Sequence, residues 1–443
     1  MKFKRETEFQ ETEIGKIPRE WRVKKLGELA LEMYYGLTAK AVNQPAGLRM
    51  LRTTDIKDNY RVDWDSLPYC EITDNRRSNI QKYLLRKHDL VVSRAGTTGM
   101  SILVDKDFND VIFGSYLIKI KLNESITYPK FIHYFMQSSL YWNQLLPKQA
   151  GSTLKNISLP ILKNILTPLP PINEQKLISE ILSTLDKAIE VVDAGVARLE
   201  GLKKALMREL LTGRIRVRED GKPVFYRETE FQETEIGKIP SEWKIVKLKD
   251  IAVEIKSGFA SGKRDEADGI IHLRMFNIGL DGMLSFDEVI KVPKPKDWRR
   301  YLLRYGDILL VNTSGSEEHI GKVAFFEDVE LECTYSNHLT RIRVVENGVD
   351  SRWVYFVLHY LWQIGYFKSL VHQQAGGQRN IPLKAIENLP IILPPINEAR
   401  KIAEFLSIIN TVIKLCREEK VKLDHLKRGL MNLLLTGKVR VVE

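Results

Sequence analysis

Apolar residues recur at steps of three and four through two long stretches of the chain. In the first, Ile178, Leu182, Leu185, Ile189, Val192, Val196, Leu199, Leu202, Leu206 and Leu210 make one stripe. In the second, Ile402, Leu406, Ile409, Ile413, Cys416, Leu423, Leu426, Leu430 and Leu434 repeat it, with Lys420 in the place of Val196. This period predicts two amphipathic helices of roughly 40 residues, each about 60 Å long at 1.5 Å per residue. Each opens on the same signal, Pro170-Pro171-Ile172-Asn173-Glu174 and Pro394-Pro395-Ile396-Asn397-Glu398: a Pro-Pro entry, an Asn placed to cap and a Glu in the first turn. Each closes on Leu-Thr-Gly, at Gly213 and Gly437, where glycine supplies the stop. So narrow a seam over such a length calls for a partner helix, and the copy is the natural one. The alternative is that each stripe packs onto its own globule. Lys420 and Gly195 are local flaws in the seam.

Between the helices the period shortens. Asp89-Leu90-Val91-Val92-Ser93 and Asp307-Ile308-Leu309-Leu310-Val311 are short β-type runs that feed glycine turns, Gly96-Thr97-Thr98-Gly99 and Ser314-Gly315-Ser316. Stretches 111–122 and 335–345 read as strands, and the aromatic-rich 128–146 and 351–370 as helices. The chain is therefore duplicated. RETEFQETEIGKIPREW from Arg5 to Trp21 returns at Arg227 to Trp243 with one change, Arg19 to Ser241. Beyond it Gly36 answers to Gly258 and Leu51–Ile56 to Leu273–Ile278, while the middles of the halves differ most. The predicted fold class is α+β: a globule over 1–169, a long helix over 170–213, a charged connector over 214–226, a second globule over 227–393 and a second long helix over 394–437.

Composition adds the partner. The 443 residues carry a formal charge of +11, which favours a polyanion, although spread over this length it is a weak signal alone. Apolar (44%) and charged (28%) fractions are those of a globular protein with an ordinary core. Cys70, Cys333 and Cys416 are too few and too scattered for a disulfide framework or a paired zinc site, which suits a cytoplasmic setting. The opening Met-Lys-Phe-Lys-Arg-Glu lacks an apolar signal core. The run 353–362, interrupted by His359, is too short for a membrane span.

The GKIP-x-EW opening, the Asp-led β run into a glycine turn, Gln-Ala-Gly followed by Asn-Ile (149–157 and 374–381) and the PLPPINEQ-type helix start resemble the specificity subunits of type I DNA restriction-modification systems. The resemblance covers almost the whole chain, twice. It implies that each globule is a target-recognition domain reading one half of a bipartite DNA sequence. It implies that the helices pair as an antiparallel coiled coil, with seam residues Ile178, Leu182, Leu185, Ile189, Val192, Val196, Leu199 and Leu206 on one and Ile402, Leu406, Ile409, Ile413, Leu423 and Leu430 on the other. Divergence between the halves then implies an asymmetric target. The chain itself is expected to be non-catalytic and to need no cofactor. Two methyltransferase subunits using S-adenosylmethionine, and restriction subunits using ATP and magnesium, are the partners implied alongside double-stranded DNA.

A DNA reader needs Lys and Arg for phosphates and a few Arg, Asn, Gln, Ser or Thr side chains for base edges. In the first globule the candidates are Ser93, Arg94, Thr97 and Thr98 of the glycine loop, with Thr38, Lys40, Arg76 and Arg77. In the second they are Thr313, Ser314 and Ser316, with Lys263, Arg264, Arg299, Arg300 and Arg379. Each is set against a plain solvated charge or an ordinary turn. Other classes find little machinery. A methyltransferase would resemble Asn/Asp-Pro-Pro-Tyr/Phe, whereas the Pro-Pro pairs here sit between Leu and Ile. A nuclease centre could start only from Asp250, Glu254 and Lys256. No GxxxxGK[ST] or HExxH pattern occurs, and His133, His359 and His372 read as aromatic-helix residues, not metal ligands. The remaining alternative is a protein-binding scaffold.

Overall fold

A computed structural model describes residues 2–42, 47–72, 75–149, 156–220, 222–262, 266–327, 330–345, 348–373 and 377–442. It divides into two units, Met1–Val192 with Glu419–Glu443, and Asp193–Glu418. Each unit holds a four-stranded antiparallel sheet of the same order. In the first unit it runs Ala30–Tyr35, Leu117–Leu122, Leu90–Ser93, Ser101–Leu103; in the second, Ala252–Ser257, Leu339–Val344, Ile308–Val311, Val323–Phe325. Even the bulge repeats, leaving Leu31 and Val253 out of register and exposed. A second sheet in each, four-stranded in the first unit and three-stranded in the second, contains one parallel pair, Val111–Phe113 with Arg49–Leu51 and Cys333–Tyr335 with Ile270–Leu273.

The stretches expected as single strands are each two, separated at 114–116 and 336–338 by a turn that carries the chain from one sheet to the other. The aromatic helices also break. One is Pro129–Phe135 followed by Ser139–Gln149; the other is Ser351–Gln363 followed by a 3-10 turn, Tyr366–Leu370, after Gly365 at φ +79°.

The long helices span Ile172–Leu211 and Ile396–Leu435. Asn173 and Asn397 therefore lie inside the first turn and do not cap it. The helices pack antiparallel: Lys427 meets Asp186 at 2.7 Å in the first unit, and Arg417 meets Glu200 at 2.6 Å in the second. Ile178 and Leu182 join a core with Met431, Leu434 and Leu435. Val196, Leu199 and Leu206 lie against one with Ile402, Leu406, Ile409 and Ile413. Leu185, Val192, Leu423 and Leu430 are half-buried, and Ile189 is buried.

One step of the predicted stripe is out of phase. Leu202 and Leu426 are each half exposed, and the inward positions are the next residues, Lys203 and Lys427. Two lysines can occupy a seam because each ammonium has a partner. Lys427 pairs with Asp186, and Lys203 donates to the Asp281 carbonyl at 2.9 Å, burial pulling its pKa down to about 8. Gly195 is no packing flaw, since a Cβ there meets open space.

The predicted connector is structured. Ile215–Asp220 and Lys222–Arg227 form an antiparallel hairpin in the second unit. In the first unit the same pair is made by the two ends of the chain, Lys2–Arg5 with Val439–Val442. Each strand pair carries the same polar knot. The Arg440 guanidinium donates to Glu174 (2.7 and 2.8 Å), Glu6 (2.9 Å) and Glu20 (3.0 Å), and the Trp21 indole also donates to Glu174 (3.1 Å). In the copy, Arg216 donates to Glu398 (2.8 Å), Glu228 (2.7 Å) and Glu242 (3.0 Å), with the Trp243 indole at 3.4 Å. The bonds to Glu174 and Glu398 raise the pKa of both arginines, and the Glu8 amide, with the Thr7 amide and the Arg440 guanidinium, holds Glu6 near 2. Gly437 and Gly213 end the helices at φ +68° and +67°, and a Cβ there would strike Pro18 or Pro240.

Candidate nucleic-acid interface

At the end of Leu90–Ser93 the chain turns through Arg94–Met100. Ser93 is fully buried and its hydroxyl donates to the Ala95 carbonyl at 2.8 Å, so it shapes the loop from beneath. Thr97 lies 3.3 Å from the Thr53 carbonyl, which ties the loop to the 53–55 turn. The Arg94 amide donates to Tyr116 and its carbonyl accepts from Ile157, both at 2.9 Å. Its guanidinium lies 4.5 Å from the Tyr35 ring centroid, and its Nε has no hydrogen-bond partner among the described residues. Tyr116 beside it is 63% exposed. Thr38 follows the Leu37–Gly114 bridge, so it stands close by, and Thr98 is half-buried on the loop. Lys40 is exposed on the next strand, opposite Glu71.

The second unit builds the same skeleton after Ile308–Val311. The Asn312 amide donates to His338 (3.0 Å) and its carbonyl accepts from Ile381 (2.8 Å), so Asn312 stands where Arg94 stands. Its side chain does something else. The Asn312 amide group is buried, donating to Thr340 (2.9 Å), Asn337 and Ser257, and its oxygen accepts from Thr313 (2.9 Å). Thr313 also lies 2.9 Å from Asn380, and Arg379 donates to the Gly315 carbonyl at 2.9 Å. Ser314 is buried and accepts from the Ser316 amide, again forming the loop. Gly36 and Gly258 make both skeletons buildable: a Cβ there would strike the carbonyl oxygen of Phe113 or of Tyr335.

Thus the structure gathers Thr38, Arg94, Thr97 and Thr98 in one place, and Thr313, Ser314, Ser316 and Arg379 in its counterpart. Arg299 and Arg300 belong instead to an open basic cleft on the same unit. Lys263 and Arg264 lie outside the described residues, and Arg76 and Arg77 fall in the segment Asn75–Tyr83 at positions where only the backbone is described. Tyr35, Tyr116, Asn312 and His338 were missed by sequence reasoning. The duplicated glycines were the available signal for the first of these, since Tyr35 stands directly before Gly36 where Ser257 stands before Gly258.

The enzyme candidates are otherwise engaged. Asp250 accepts the Lys247 amide at 3.2 Å, and Glu254 pairs with Arg341. Among the described residues no group of His, Cys, Asp and Glu is arranged to hold a metal. His133 and His359 do lie in aromatic helices, His359 stacked on Tyr355 and Trp362. His372 does not; it is exposed in the short strand His372–Gln373. No helix among the described residues is long and apolar enough to cross a membrane.

A repeated α+β unit with a long helix after each copy, and a variable loop on an invariant skeleton, defines a two-domain recognition subunit. Residues 18–199 and 240–425 both match the type I restriction modification DNA specificity domain, and the chain belongs to that family. It is 27% identical over 448 residues to the type I restriction enzyme MjaVIII specificity subunit of Methanocaldococcus jannaschii, covering 100% of this chain and 98% of the relative. It is 22% identical to the EcoKI specificity subunit of Escherichia coli K12, over 96% of this chain and 90% of that one. The crystal structure of the type I S subunit from M. genitalium shares the fold, with a TM-score of 0.57, 15% identity and coverage of 94% and 96%.

Proposed function

We propose that this subunit chooses the DNA target of a type I restriction-modification complex and carries out no catalysis itself. Each globule reads one half-site of a bipartite sequence, the paired helices set the spacer, and the helices dock two methyltransferase subunits. Those partners supply S-adenosylmethionine-dependent adenine methylation, and restriction subunits supply ATP- and magnesium-dependent translocation and cleavage, in the cytoplasm. The observation that carries this reading is a pair of loops that leave the same strand with matching backbone partners but carry different chemistry: an Arg94 guanidinium on Tyr35 in one, a Thr313 hydroxyl held by Asn312 and Asn380 in the other. Two unlike readers on one skeleton imply an asymmetric target. Correct base pairs satisfy both sets of polar groups, and each mismatch costs about 1–3 kcal/mol. The test is co-expression with the methyltransferase subunit and mapping of methylated adenines by single-molecule sequencing. A bipartite asymmetric motif that vanishes without this chain is expected; a stable complex with an active partner but no sequence-dependent methylation overturns the proposal.

A further inference from the structure

Apart from the loops, the second unit carries an open, strongly basic cleft of about 400 Å³. Its floor is the sheet pair Ala252–Ser257 and Leu339–Val344, and its wall is the 298–304 turn. Among the described residues, Lys256, Arg299, Arg300, Arg304, Arg341 and Arg343 line it against a single carboxylate, Glu254. Two of these cations are structural. Arg341 donates to the Leu302 carbonyl at 2.8 Å and pairs with Glu254, while Arg343 makes two 2.7 Å bonds to Asp307. They fix the floor and satisfy the acids. Arg299, Arg300 and Arg304 stay exposed at the rim, and the Arg341 Nε is buried without a hydrogen-bond partner among the described residues.

The corresponding place in the first unit is built differently. There Tyr34 occupies the register position of Lys256, and Lys119, in the place of Arg341, is neutralised by Asp89 at 3.1 Å. Part of the basic rim is nonetheless kept there, since Arg86 stands in the place of Arg304 and Lys82 in that of Arg300. The cleft also adjoins the reading loop. Ser257, next to Lys256, contacts Asn312 at 3.3 Å, and the Tyr301 ring under Lys256 lies 5.1 Å from Phe259, whose carbonyl accepts from Asn337. Among the described lining residues Leu302 alone is apolar, so the cleft lacks the apolar centre of a protein docking site.

We propose that this cleft clamps backbone phosphates of the duplex beside the half-site read by the second domain. This rests on the DNA-reading function above. Guanidinium forks match phosphate oxygens bidentately and carry no sequence information, so the clamp adds affinity and register without changing the bases chosen.

The experiment measures binding of the full subunit, assembled with its methyltransferase partner, to its methylation-defined duplex across a salt series. In the R299Q/R300Q/R304Q triple variant the slope of log K against log salt becomes shallower by about two to three, at about 0.9 for each phosphate no longer neutralised. The methylated motif is unchanged. A charge-matched control, K238Q/K244Q/K249Q, keeps the parental slope. Equal slopes in the triple variant and the parent overturn the clamp, as does an equal loss in the control. Failed assembly with the methyltransferase at an unchanged DNA slope also overturns it, by making the cleft a protein dock. Should the triple variant misfold, R300Q alone is read, with an expected change of about 0.9. If the parental complex itself shows no sequence-specific binding, it is the proposed function that fails and not the clamp.

Discussion

Arg216 and Arg440 show how much one side chain holds. Each is buried, each bonds three carboxylates, and each fastens a helix start to a strand that comes from elsewhere in the chain. Replacing either by Met leaves a buried glutamate uncompensated, at a cost of roughly 3–5 kcal/mol. R216M should lower the urea midpoint of the second unit's transition and R440M that of the first; no shift would show the knots to be dispensable. Neither arginine was legible as a key residue, because the helix-start glutamate it holds, Glu398 or Glu174, sits 182 or 266 positions away. The second residue-scale prediction concerns pH. Burial lowers His359 to about 3 and His272 to about 4, below the unfolded value near 6.5. Between pH 6.5 and 4 the unfolded chain therefore binds protons that the folded one does not, and stability falls as pH falls, by up to about 1.4 kcal/mol per pH unit per histidine. The melting temperature of H359Q should depend less steeply on pH in that window than the parent's.

At the scale of elements, what the sequence shows locally was readable. The Pro-Pro entries and the Leu-Thr-Gly stops bound both helices, because helix ends are written in a few adjacent residues. The phase inside the seam was not, since Lys203 and Lys427 look like surface lysines until the Asp281 carbonyl and Asp186 are seen beside them. The 215–227 hairpin was missed for a related reason: Arg, Glu, Asp and Lys crowd it, and it is the buried Arg216 and Val217 that tie it inward. Candidate loops were legible as the places where the halves disagree, but which side chain sits at their centre depended on the crossing of Gly36 and Gly258 under another strand. The helices can also be improved. Gly195 and Gly201 have open space where a Cβ would go, so G195A and G201A should each stabilise by about 1 kcal/mol, read as a rise in melting temperature. A fall would mean that the helix needs its flexibility there.

For the whole molecule, the proposed spacer role makes a length prediction. A heptad inserted in register into both long helices adds about 10 Å. At 3.4 Å per base pair this should lengthen the unspecified spacer of the methylated motif by about three base pairs. An active complex with an unchanged spacer would count against a ruler made of helices.

The pairing of Lys2–Arg5 with Val439–Val442 also decides when each part of the molecule can fold. The second unit is one continuous run that holds both strands of its hairpin, whereas the first must wait for residues 419–443 to supply Met431, Leu434, Arg440 and Val441. On a ribosome the order of folding is thus the reverse of the order of synthesis: the half made first is finished last, after a loop closure spanning nearly the entire chain. Ending the chain at Glu418 should leave residues 193–418 resistant to protease while 1–192 is digested, and an intact N-terminal fragment would refute that order.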